Sequence, residues 1–163
     1  ALKPAHRGIT TDVCVPISRL AEAVVGAKET AKASGLTSCI VGHVGDGNFH
    51  LAYLVKEGDA GQRALAEAMS QRMVQRAIAF EGTCSGEHGV GLHKMDFLVD
   101  EAGAGTVALM RGIKHALDPK NIMNPGKIFD WEGSIIYELR YPAFLDEKCA
   151  PACPGSEPCK DEQ

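Results

Sequence analysis

The stretch Gly42-His43-Val44-Gly45-Asp46-Gly47-Asn48-Phe49-His50 constrains the fold most, because it sets a strong two-residue hairpin signal between two apolar runs. Asp and Gly both tolerate the positive φ that a type I′ turn demands at its central positions. With Asp46 and Gly47 at the centre, Gly45 faces Asn48, Val44 faces Phe49 and His43 faces His50. Two imidazoles then form a direct cross-strand pair, with Cβ atoms about 5 Å apart. Such a pair supplies two jaws of a clamp for a divalent cation, which calls for a third ligand. Glu87 is the candidate, within the glycine-punctuated stretch Gly82-Thr83-Cys84-Ser85-Gly86-Glu87-His88-Gly89. Backbone there can approach a ligand without interference from Cβ atoms. Neighbouring side chains on extended backbone point opposite ways. His88 is therefore expected to face away from the ion and to be free for proton transfer. The plain alternative is a structural histidine pair with satisfied hydrogen bonds. His6, His93 and His115 have no such company and are expected to be exposed or locally capped.

Around the hairpin, apolar residues switch between strand and helix periods. Residues 10–15 read as a strand closed by Pro16. From 18 to about 33, Leu20, Ala23, Val24, Ala27 and Ala31 recur at helical spacing, and Gly35 is a stop past the last turn. Residues 36–41 and 49–55 are the second and third strands, and Gly58-Asp59 ends the third. Leu65, Ala68, Met69, Met73, Val74, Ala77 and Ile78 mark a long helix that ends by Gly82, and 83–85 is a short fourth strand. This order is the split β-α-β of a ferredoxin-like sandwich, an antiparallel sheet with helices on one face, and the class is α+β. A further helix over Ala104–Leu117 is stopped by Asp118-Pro119 and followed by the turn Asn124-Pro125-Gly126. Residues 1–9 read as a leader or the end of a preceding segment, 10–130 as the folded domain, and 131–163 as a flexible extension rich in Cys and Pro.

Composition narrows the function classes. With 163 residues, 45% hydrophobic and 23% charged, the chain supports one well-cored domain. A net charge of −4 and the lack of basic clusters with interleaved aromatics exclude a nucleic-acid footprint. No apolar run approaches the roughly 18 residues of a transmembrane helix, and no signal-peptide layout is present. A first residue that is not Met suggests a processed chain or a fragment. Cys14, Cys39 and Cys84 lie in apolar or glycine-rich segments and read as small buried thiols. Cys149, Cys153 and Cys159 have no nearby histidine to complete a metal site and read as part of a mobile tail. Lys94, Arg111 and Lys114 read as solvated charges. Gly86, Gly89 and Gly91 lack both the Walker lysine and the dinucleotide fingerprint.

Four segments together resemble a known family. Thr11-Asp12-Val13-Cys14-Val15-Pro16-Ile17-Ser18, Val41 through His50, Gly82 through Gly91, and Leu117-Asp118-Pro119 through Asn124-Pro125-Gly126-Lys127 are similar to the C-terminal part of flavin-linked D-2-hydroxy-acid dehydrogenases. Within that family the cytochrome-linked D-lactate branch is the most similar. The resemblance covers roughly residues 8–130. It implies an N-terminal FAD-binding domain of the vanillyl-alcohol oxidase type that lies outside this chain. It also implies a divalent metal, Zn or Mn, held by His43, His50 and Glu87, with His88 as the active-site base and Asn124 near the flavin. Hydride passes from a small 2-hydroxy acid to FAD, and electrons go on to cytochrome c or a quinone. The fragment alone is then expected to be inactive. Relatives imply a mitochondrial location in a eukaryote, or the cytoplasm or inner-membrane surface in a bacterium, and are compatible with a homodimer. The hydroxyglutarate branch carries an Asn two residues past the second metal histidine and a Lys before the strand-one Asp. Here Ala52 and Thr10-Thr11 stand at those places, which favours a short substrate such as D-lactate over D-2-hydroxyglutarate, with glycolate a further candidate. Two other readings compete, a stand-alone metal-binding ferredoxin-like sensor or partner module and a metal-dependent hydrolase.

Overall fold

A central strand with both faces covered at one end organises the molecule. The computed structural model describes residues 5–128. The elements run β1 (His6–Cys14), α1 (Ile17–Ser34), β2 (Thr37–His43), a single 3-10 turn (Val44–Asp46), β3 (Asn48–Lys56), α2 (Ala60–Ala79), a second 3-10 turn (Met95–Phe97), α3 (Leu98–Ala102) and α4 (Ala104–Leu117). β3 lies between β1 and β2 and is antiparallel to both. β1 and β2 are thus parallel to each other, joined over one face by α1, with a gap that β3 fills. This is the expected split β-α-β in an α+β fold.

The helices follow from their sequences. α1 buries the stripe Ala23, Ala27 and Ala31, four residues apart on one face, where small side chains allow close approach. Gly35 ends it in the left-handed region, and its N–H reaches the Lys32 carbonyl. α2 opens on Asp59, whose carboxylate accepts the N–H of Gln62 at 2.9 Å, while the Gln62 side chain accepts the N–H of Lys56 at 2.9 Å. Its buried face is Ala66, Met69, Met73, Val74 and Ala77. Both helices join Val13, Phe49, Leu51, Tyr53 and Val55 in one core. Arg19 of α1 lies over the Phe80 ring past the end of α2, 3.9 Å from its centroid.

Several expectations need correction. β1 begins at His6, so residues 6–9 belong to the sheet. The turn is not a two-residue I′ turn. Val44–Asp46 form a 3-10 turn and Gly47, at φ +77, closes it, so His43 pairs with Asn48, and Val41 stands opposite His50. The longer turn wins because Gly47 packs against β1, its carbonyl accepting the Val15 N–H at 3.0 Å. The fourth strand is reduced to one bridge between Cys14 and Thr83, since the glycines around it turn the chain away from the sheet. Cys39 is exposed on β2, one of the two edge strands, and Cys14 is half-buried, so of the three expected buried thiols Cys84 alone is buried. The expectations for 131–163, including Cys149, Cys153 and Cys159, lie outside the described residues. No described helix is long and apolar enough to cross a membrane.

Two glycines separate conformational from steric constraint. At Gly35, φ is +69 with open space around an added Cβ, whereas at Gly47 an added Cβ collides with the Val15 carbonyl oxygen. Gly35→Ala is expected to cost about 1 kcal/mol and Gly47→Ala about 3 kcal/mol or more. Equilibrium urea unfolding of the two variants checks this, and equal losses would refute the tight approach of the turn to β1.

Candidate metal and acid–base site

Strand alternation decides which side chains meet. Val13, Phe49, Leu51 and Tyr53 face the helices, so Asp12 of β1, Asn48 and His50 of β3, and His43 of β2 share the opposite face. Asp12 stands directly across from His50. His43 is a diagonal neighbour of His50, not its direct partner, and their rings meet edge to face with centroids 6.1 Å apart. The two-residue change of register kept both imidazoles on one face, because the side-chain period of a strand is two.

The segment from Gly82 to Gly91 folds back under this face. Glu87 Oε1 lies 3.0 Å from His50 Nε2, and Glu87 Oε2 lies 3.8 Å from His43 Nε2. All three predicted ligands therefore converge, with donor atoms within 4.8 Å of one another. Bonds of 2.0–2.1 Å in a tetrahedral site put neighbouring donors about 3.3 Å apart. The spacings here bracket that value, and two imidazoles with one carboxylate are a donor set suited to Zn or Mn. The residues fit a divalent ion. His43 is largely exposed, leaving open approach for further ligands.

His88 does not turn away from Glu87 as extended backbone requires. Its ring stacks on His50 at a 5.0 Å centroid distance and 19° between planes. Its Nε2 lies 3.5 Å from Glu87 Oε1 and its Nδ1 3.6 Å from Asp12 Oδ1. The local backbone explains this. Asp12 Oδ2 accepts the N–H of Glu87 at 2.9 Å and of His88 at 3.3 Å, and successive N–H groups reach one oxygen only when the chain is not extended. A cleft of about 630 Å³ is lined by His88, Asp12 and Lys94 but by none of the three ligands, so His88 stands where cleft and cluster meet. Asn124, predicted to lie near the flavin, sits at φ +48 in the exposed turn after α4.

Three groups were missed or misread from the sequence. Lys94 is buried, not solvated, and its Nζ donates to Asp12 Oδ1 at 2.5 Å and to the Asp12 carbonyl at 2.6 Å. Glu101 accepts the Cys84 N–H at 2.7 Å. Lys114 is held too, by Asp118 Oδ2 at 2.6 Å and the Met123 carbonyl at 2.5 Å. No spacing rule connects residue 12 to residue 94, so the pair left no local signal. Burial by itself pushes the Asp12 carboxyl up, but the Lys94 hydrogen bond, the two N–H groups and the ammonium charge outweigh it and hold the group down at about 2. Burial, with the Glu101 carboxylate beside it, pushes the Cys84 thiol up to about 12, so it stays neutral and is a structural thiol.

The Asp12 shift carries a sign for stability. A depressed carboxyl stabilises the fold above its unfolded value and loses that contribution as pH falls through the folded value. From the ordinary 3.8 to about 2, the loss is on the order of 2 kcal/mol and falls between about pH 4 and pH 2. Urea unfolding across that window checks it, with Asp12→Asn/Lys94→Met expected to lack this component. A double variant with the same pH dependence as the parent would contradict the assignment.

Comparisons with known proteins agree with the fold. The family described as FAD linked oxidases, C-terminal domain, matches residues 1–128. The mitochondrial D-lactate dehydrogenase [cytochrome] of Kluyveromyces lactis is 55% identical over 120 residues, covering 74% of this chain and 20% of that protein. The probable mitochondrial D-lactate dehydrogenase of Danio rerio is 43% identical over 130 residues, covering 80% and 26%. The solved structure of 4-ethylphenol oxidase from Gulosibacter chungangensis, an isoeugenol complex, superposes with a TM-score of 0.55 at 17% identity, over 78% of this chain and 25% of that one. The chain thus spans 20–26% of these curated relatives. A family match over all of the described residues, on an antiparallel sheet in an α+β fold, places the chain among the C-terminal domains of FAD-linked oxidases.

Proposed function

We propose that this chain is the substrate-side part of an FAD-dependent D-lactate dehydrogenase. The observation that carries the reading is the convergence of His43, His50 and Glu87 on one point with the His88 ring stacked beside it. When bound, FAD supplies the hydride acceptor and a divalent ion, Zn or Mn, supplies Lewis acidity at the substrate hydroxyl. His43, His50 and Glu87 would hold the ion. His88 Nε2, on the side of Glu87, accepts the hydroxyl proton, while its Nδ1 faces Asp12. Loss of that proton and of hydride from Cα turns the hydroxy acid into the keto acid. His88 also borders the cleft, which lets a small substrate reach it.

Asn124 is the proposed flavin contact, and the rest of the FAD is held by parts of the protein outside this chain. The small Ala52 on the site face supports a short substrate. Cytochrome c or a quinone is the proposed electron acceptor, and a mitochondrial location follows for a eukaryotic source, in keeping with the names of the relatives.

In the complete FAD-loaded protein, His88→Ala is expected to lower D-lactate turnover about 10²–10⁴-fold with flavin retained. His43→Ala/His50→Ala is expected to abolish near-stoichiometric Zn or Mn measured by plasma mass spectrometry. Turnover close to that of the parent in His88→Ala would sink the base assignment, and full metal content in the double variant would sink the clamp.

A further inference from the structure

Two groups of potential ligands share His50. One is His43–His50–Glu87, and the other is Asp12–His50–His88. They are not equivalent. Asp12 Oδ2 already takes the N–H groups of Glu87 and His88 and the Ser85 hydroxyl at 3.4 Å. Asp12 Oδ1 takes the Lys94 ammonium, which would repel a cation placed on the same oxygen. Asp12 is therefore unsuited to bind the ion itself, although it is the most deeply buried charged group beside the cluster.

We propose that Asp12 is the positioning residue of this site: its carboxylate pins the backbone at Glu87 and His88 and so sets both the third ligand and the proton-accepting ring against the sheet, with Lys94 locking Asp12 in place. The catalytic part of this inference rests on the function proposed above. Three observations carry it. First, the Glu87 and His88 side chains are about half exposed, so they meet the sheet through few contacts, the His50 ring chief among them. Second, the segment holds Gly86, Gly89 and Gly91 and forms neither helix nor strand, so it has no ladder of its own. Third, its anchors elsewhere lie outside the two residues that matter. Thr83 bonds Cys14, Cys84 bonds Glu101, and Lys94 N–H bonds the Val90 carbonyl. Between Cys84 and Val90, the backbone N–H and hydroxyl hydrogen bonds from this segment to the sheet go to Asp12, while the Glu87 and His88 side chains meet it at His50 and His43.

The arrangement also explains why Glu87 and His88 act together. Two successive N–H groups aimed at one oxygen bend the chain, and the bend brings both side chains to the His50 side. The β1–β3 register places Asp12 directly opposite His50, so one strand pair carries both the anchor of the loop and the ligand that Glu87 and His88 meet.

The test is site-resolved hydrogen exchange on the complete protein, with Mn or Zn affinity measured beside it. In the parent, the Glu87 and His88 amides are expected to exchange about as slowly as the β1–β3 ladder. In Asp12→Asn, exchange at these two amides is expected to rise while the ladder is unchanged, and metal affinity to fall about 10–100-fold, the usual effect of losing a group that orients a ligand. Asp12→Asn leaves Lys94 buried without its partner, so Asp12→Asn/Lys94→Met is made in parallel to remove both charges. Retained protection and retained metal affinity in the double variant would overturn the proposal, as would fast exchange of the two amides in the parent, a result that needs no variant. The exchange measurement requires no substrate. Failure of the parent to oxidise D-lactate would defeat the proposed function and leave the exchange result to decide the role of Asp12.

Discussion

Asp12 and Lys94 form a charge pair removed from water, and the rest of the site depends on where it sits. A buried ion pair adds little net stability, because desolvation offsets much of the attraction. Its effect here is positional. Lys94 reaches the carbonyl and the carboxylate of one residue, and so ties the end of the loop that carries Glu87 and His88 to β1 near its C-terminal end. The same carboxylate holds the backbone that presents Glu87 and His88. Removing either partner leaves an unpaired charge in the interior, and the loop loses the point around which it turns.

The architecture was largely legible in the sequence. Helical spacing and a left-handed glycine stop located α1 to within one residue at each end, and α4 ran over the expected Ala104–Leu117. The order of elements gave the split β-α-β. The fourth strand failed because Thr83 pairs with β1 through a single bridge before the glycine-rich segment turns away, and a strand cannot be told from such a bridge by composition. The hairpin erred in turn type. Asp-Gly fits a I′ turn by local preference, but Gly47 also meets the Val15 N–H, a tertiary contact that local preference does not include.

The candidate site was legible for a different reason. His43, His50, Glu87 and His88 lie in two short segments rich in turn residues, and chemistry-bearing side chains there stand out against an apolar background. Their grouping survived a wrong register because the error was even. Lys94 was not legible. A single lysine in a loop reads as solvated, and its partner is 82 residues away in the chain. The side-by-side placement of Glu87 and His88 was likewise hidden, because it follows from two N–H groups sharing an oxygen and not from any residue preference.

Parity along β2 and β3 also limits how a chain of this kind can drift. One residue inserted between Val41 and His43 must be absorbed as a bulge, or it swings the imidazole from the open face toward Phe49 and the helices. Residues added within 44–47 only lengthen the turn and leave both histidines where they were. Length variation among descendants of such a sequence is thus channelled into the turn. The strands on either side can exchange residues far more freely than they can gain or lose one.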